Sequence, residues 1–364
     1  MTTTEQPVLH KVRPAVRIGP ISLVWRPAMV SIVVALTALL FAAFCWDVAQ
    51  GDSAMPLSRV LDVLTGGGTR SQRFIILESR LPRALTAVLV GAALGLSGAL
   101  TQSILHNPLA SPDMLGITTG ASVGAVAVIV GTGATTGTAA AVGAPLAALA
   151  CGLLTATVIY VLAWGRGRTG DTGATGLRLV LLGVGVNAVM AALLSWLVAR
   201  ASLVDAMRAQ QWLTGSLNAV DKAKLVPTAL ALALVIVVAV GSARTLAALR
   251  LGTDTTRALG VRIQSQQALL IGAAVIAASV ATAAVGPIAF VALAAPQIAR
   301  RLLRTPGEPL IGSTLVGALA VVAADVASRT VFPVDLPAGI VTAAFGGPFL
   351  LYLLVRTNRK ATLT

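Results

Sequence analysis

Ten apolar segments recur along this chain, most near the ~20 residues a helix needs to cross a bilayer, and they constrain its fold more than any motif. They run at Pro27–Trp46, Leu85–Leu105, Met114–Val130, Ala140–Ala163, Leu177–Val198, Leu225–Gly241, Ala268–Val285, Ile288–Leu302, Ile311–Val331 and Ala338–Val355. Hydrocarbon offers no partner to an open backbone group, so each segment reads as a helix. Hydrophobic residues make up 56% of the 364, charged residues only 11%, and mean hydropathy is +0.88. No water-soluble domain of this size tolerates that balance. The expected fold is therefore an all-α integral membrane protein of about ten transmembrane helices. With 35 glycines and few aromatics, its helices should pack closely through small residues.

The formal charge of +14 would suggest nucleic acid in a soluble protein. In a membrane protein it fits loops that collect Lys and Arg on the cytoplasmic side, and no nucleic-acid partner is expected. Residues 1–26 read as a cytoplasmic tail carrying His10, Lys11, Arg13, Arg17 and Arg26. No small-residue cleavage site follows Pro27–Trp46, so that run reads as an uncleaved first helix. An even number of spans returns the tail at 357–364 to the cytoplasm. The loop Asp47–Arg83 is expected outside, its arginines offset by Asp47, Asp52, Asp62 and Glu78. Cys45 and Cys151 fall in apolar runs without metal-ligand spacing and read as buried thiols.

Absences narrow the chemistry. The only lysines are Lys11, Lys222, Lys224 and Lys360, and none stands in a P-loop. Asp325 is the one clear intramembrane acid, with Arg329 four residues on to neutralise it. Ion-coupled secondary transport is disfavoured on that ground. Gly95-Leu96-Ser97-Gly98 matches the string around the serine of rhomboid proteases, but such a serine needs a histidine within hydrogen-bond reach. His106 lies nine residues along the same segment, about 13 Å away at ~1.5 Å per residue. The dyad fails and no enzyme is expected.

Several strings occur in a fixed order. They are RLPR at Arg80–Arg83, GAALGLSGALTQ at Gly91–Gln102, NPLASPDMLGITTGA at Asn107–Ala121 and WLTGSL at Trp212–Leu217. LGTDTTRALGV at Leu251–Val261, VGPIAFVALAAPQIARRL at Val285–Leu302, ADVASR at Ala324–Arg329 and DLPAGIVTAAFGGPFLLYLL at Asp335–Leu354 complete the series. Together they resemble the FecCD-type permeases of bacterial ABC importers for iron-siderophores and cobalamin, from about Arg80 to Arg356.

That resemblance implies a type II importer permease of ten helices in the cytoplasmic membrane, spanning 27–356. It implies a second permease subunit, identical or homologous, with the translocation path between the two. It also implies two ATPase subunits, which bind the ATP and magnesium, and an extracytoplasmic binding protein; this chain itself holds no cofactor. The cargo is a metal chelate, with ferric siderophore ahead of cobalamin or haem. A faint echo between Pro112–Gly120 and Pro337–Gly346 adds inverted-repeat character.

Carried onto this sequence, Arg80, Arg83 and Arg329 would meet acids on the binding protein. Asn107 and Leu109 would form a cytoplasmic gate, where Pro108 forces irregular backbone. In the loop at 249–263, Gly252, Asp254, Arg257, Leu259 and Gly260 would engage the ATPase. A second gate of the family is hydroxyl-rich, whereas Thr175-Gly176-Leu177 stands there in this chain. Gln297 replaces a frequent histidine, so no protonation switch is assigned to it. Trp212 is expected on an outer loop or short surface helix.

Overall fold

Helix α4, Leu81–Leu105, is apolar on every face and lies inside the bundle. Every residue from Val90 through Gln102 is buried. The computed structural model, which describes residues 15–18, 21–24, 26–51, 55–131, 138–166, 172–174, 176–218, 220 and 222–361, wraps four long neighbours around it. These are α9 (Lys222–Gly241), α12 (Ile263–Val285), α13 (Val291–Leu302) and α14 (Leu310–Thr330). The tightest crossing is with α14, where a Cβ on Gly95 would collide with the Ser313 carbonyl and one on Gly317 with the Gly91 carbonyl. Small residues bring these backbones together, as they do where no hydrophobic effect drives helices to associate.

Outside this core, α1 (Pro27–Ala49) lies on α14, α5 (Ile117–Gly131) pairs with α6 (Thr138–Ala163), and α7 (Gly176–Arg200) packs on α5. The last helix, α15 (Ala338–Ala361), packs on α14 and α13. Two antiparallel ribbons, β1–β2 (Ala15–Ile18, Ile21–Val24) and β3–β4 (Trp164–Arg166, Thr172–Ala174), stand outside the spans. Each of the ten apolar segments carries a helix, and among the described residues seven helices are by themselves long and apolar enough to cross a membrane. The helix on Met114–Val130 starts only at Ile117 because the preceding residues form turns, and the one on Ile288–Leu302 starts at Val291.

One expectation is corrected. Asp47–Arg83 is not a loop but largely helical: α1 runs on to Ala49, followed by α2 (Leu57–Leu64), α3 (Arg70–Arg73) and a π-helical turn (Phe74–Arg80) continuous with α4. The reason is a small local core, in which Val48, Val60, Val63, Ile76 and Ala84 are buried together. Trp212 sits half-buried on the short helix α8 (Leu203–Leu213). Cys45 and Cys151 are half-buried and unbridged. Tail residues His10, Lys11 and Arg13, and Thr175 of the second gate, lie outside the described residues.

Candidate functional site: two ends of one central helix

At the end of the bundle where α4 begins, three helices contribute charge. Arg83 grips Asp325 of α14 in a bidentate pair, Nη2 to Oδ1 at 2.8 Å and Nε to Oδ2 at 2.9 Å. Arg329, one turn along α14, donates to the same carboxylate at 2.9 Å and pairs with Asp47 of α1. Asp325 and Asp47 are buried, so the guanidiniums stand where isolated carboxylates would be strongly disfavoured. Arg80 is buried too, and its Nη1 donates to the Ala49 carbonyl at 3.1 Å and to Val48 at 3.3 Å. It thus serves carbonyls that the end of α1 leaves open. The three arginines are therefore brought together, bonded within the subunit.

Asp47 was missed as part of this cluster. It reads as the first residue of a polar loop, and only the continuation of α1 buries it.

At the other end of α4 the chain breaks. His106 takes a left-handed conformation (φ 49°), Asn107 Oδ1 accepts from the Leu109 amide at 3.0 Å, and the Asn107 carbonyl accepts from Ala110. This Asx turn supplies the partners that Pro108 denies the helix. Asn107 and Leu109 are half-buried. Beyond them, Asp113 Oδ1 accepts from Thr118 Oγ1 at 2.9 Å. Burial pushes the Asp113 carboxyl from 3.8 up to about 6, against the pull of that hydrogen bond.

The segment at 249–263 lies at this same end. Here α10 (Ala243–Leu249) leads into α11 (Thr253–Ala258), which is bracketed by Gly252 (φ 98°) and Gly260 (φ 77°). Only glycine takes such angles freely. Leu251, Arg257 and Leu259 are exposed. Thr256, in contrast, is fully buried and its hydroxyl donates to the Ala248 carbonyl at 2.8 Å, locking α11 to α10.

Sequence reasoning also missed what ties α10 to the break. His106 Nε2 donates to the Leu249 carbonyl at 3.1 Å. Arg250 Nη2 donates to the Glu308 carbonyl at 3.1 Å, while the Glu308 carboxylate accepts from Ser103 Oγ and from Arg300 Nη1, both at 3.3 Å. Glu308 thereby joins α4, α10 and α13. A deeper bond joins α13 to α4: Gln297 Nε2 donates to Gln102 Oε1 at 2.6 Å, and Gln102 donates to the Leu293 carbonyl. Ser97, the residue of the protease-like string, is fully buried and donates to Ala274 of α12 at 2.6 Å. It is a helix–helix tie.

No group of three or more metal-ligating side chains occurs among the described residues. A bundle of apolar helices, seven of which among the described residues are long enough to cross a bilayer, defines a multi-pass membrane protein. The chain matches the FecCD transport family over residues 39–356 and belongs to it. It is 40% identical to the ferric enterobactin transport system permease protein FepG of Escherichia coli (strain K12), over 89% of this chain and 97% of that one. It is 34% identical to the iron-uptake system permease protein FeuC of Bacillus subtilis (strain 168), over 88% and 96%. The vitamin B12 import system permease protein BtuC of Salmonella paratyphi A is 35% identical over 78% of this chain and 84% of that one. A solved structure of a metal-chelate type ABC transporter, in an inward-facing conformation, superposes with a TM-score of 0.75 at 26% identity, covering 90% of this chain and 99% of that one. The chain is thus a multi-pass permease subunit of an ABC importer.

Proposed function

We propose that this permease carries a metal chelate, a ferric siderophore ahead of cobalamin, inward across the cytoplasmic membrane as one of two permease subunits. The observation that carries the reading is mechanical. The exposed knobs Leu251 and Leu259 flank α11, whose buried side is bonded through Thr256, Leu249 and Arg250 to the foot of α4. Two separate ATPase subunits would hold those knobs, with Asp254 and Arg257 setting register, and their closure would move α10–α11. The Asn107–Leu109 break would open in response and act as the inner gate.

On the outer face, a loaded binding protein would dock by its acids on the Arg80–Arg83–Arg329 cluster. Such rim charges steer encounter and register more than they add affinity. Both termini would then be cytoplasmic.

The test is uptake by the complete importer in proteoliposomes over a panel of ferric catecholate, ferric hydroxamate, ferric citrate and cobalamin. ATP-dependent uptake of a ferric chelate in preference to cobalamin is expected. Preferential uptake of cobalamin would overturn the cargo assignment.

A further inference from the structure

Thr119 of α5 and Asn187 of α7 form a polar pair that none of the roles above uses. Thr119 Oγ1 lies 2.6 Å from Asn187 Oδ1, and both residues are half-buried. Asn187 stands eleven residues into α7, about 17 Å from its start at ~1.5 Å per residue, hence near the middle of a ~30 Å hydrocarbon layer. The pair is held firmly, because a Cβ on Gly116 would meet Asn187 and one on Gly183 would meet the Leu115 backbone.

A carboxamide carries two N–H donors as well as an acceptor oxygen. Among the described residues nothing accepts from the Asn187 amide nitrogen. A threonine hydroxyl can donate or accept, so exchanging the carboxamide O and N would leave the oxygen open instead. Around it α7 is apolar and exposed at Leu181, Val184, Val189, Leu193 and Trp196. Neither a lipid tail nor an aliphatic helix face can satisfy the open amide, and an unsatisfied polar group at that depth is costly.

Something that brings acceptors to mid-membrane must face it. We propose that Asn187, positioned by Thr119, lines the translocation path and donates hydrogen bonds to acceptor oxygens on the passing solute. The oxygen-rich periphery of a metal chelate fits that chemistry. The inference deepens the function proposed above and rests on it for the identity of the solute.

The complete importer in proteoliposomes supplies the first test. Asn187→Leu keeps the volume and removes the donors. Uptake of ferric catecholate, ferric hydroxamate and ferric citrate should change relative to one another by about 5- to 10-fold, the worth of one hydrogen bond near 1 kcal/mol. Unchanged uptake overturns the proposal. So does an equal loss for all three accompanied by separation of the permease pair, which would make the amide a contact with the second subunit.

The second test is independent of cargo. In a chain with Cys45 and Cys151 replaced by alanine, Asn187→Cys should react with a small water-soluble maleimide, and absence of labelling overturns the placement. If the cysteine is labelled while the unmodified importer takes up no chelate with ATP, the path residue stands and the chelate assignment fails.

Discussion

Asp325 accepts hydrogen bonds from two guanidiniums that arrive from different helices, and its burial makes both necessary. Removing one partner of such a cluster leaves charge stranded, at about 3–5 kcal/mol. Asp325→Ala should therefore lower the thermal midpoint of the detergent-solubilised subunit by many degrees. Arg83→Lys keeps the charge but loses the two-pronged fit and should cost less. Equal midpoints for wild type and Asp325→Ala would remove the cluster from the stability account. The Asp325–Arg329 half of it was legible because four residues on a helix make one turn. Arg83 and Asp47 were not legible as its partners, since only the folded bundle brings them across hundreds of residues.

Asp113 makes a second prediction at this scale. Its folded-state pKa of about 6 exceeds the ordinary 3.8, so the folded protein binds the proton more tightly. The stability this gives is fully present below about pH 4 and is lost as pH rises through 6. Asp113→Asn should flatten that part of the midpoint-versus-pH curve. An unchanged slope would assign the titration to another group.

Among the elements, α11 is the one whose shape follows most directly from sequence. Gly252 and Gly260 mark its ends by residue type, and the positive φ angles at both give the physical reason. Leu259→Asp or Gly260→Pro should uncouple ATP hydrolysis from uptake while leaving binding-protein association intact, measured side by side in one preparation. If hydrolysis stays coupled, α11 is not the lever. Glu308→Ala removes a carboxylate that joins the foot of α4 to Arg300, so uptake per ATP should fall while hydrolysis continues; Glu308→Gln, which keeps an acceptor, should restore part of it. The Glu308 junction was invisible in sequence because its partners Ser103, Arg250 and Arg300 carry no common motif. The helical run Arg70–Arg80 was obscured for another reason: its arginines, serines and Gln72 read as a polar loop, and only contact with Val60 and Val63 shows a packed face. Gly95→Leu should prevent assembly of the subunit, because the Ser313 carbonyl occupies the space its side chain needs.

For the whole molecule, hydropathy placed a helix on each of the ten apolar segments, since the bilayer forbids open backbone between their ends, but it did not show the short helices between them. What it could not give was depth and pairing: that α4 is central, that α7 leaves an apolar face uncovered, and that the two ends of α4 are built differently. Those depend on small residues meeting across the bundle. Together they place an ionic cluster at one end of α4, a chain break at the other and the short helix α10 bonded to that break. We propose that motion of α10–α11, driven by ATP, opens the path. The most direct measurement is ferric siderophore uptake into proteoliposomes holding the complete importer, with ATP supplied and ion gradients collapsed. Uptake that persists without gradients, stops without ATP and is lost in Leu259→Asp is the predicted result. Uptake driven by a proton or sodium gradient in the absence of ATP would contradict it.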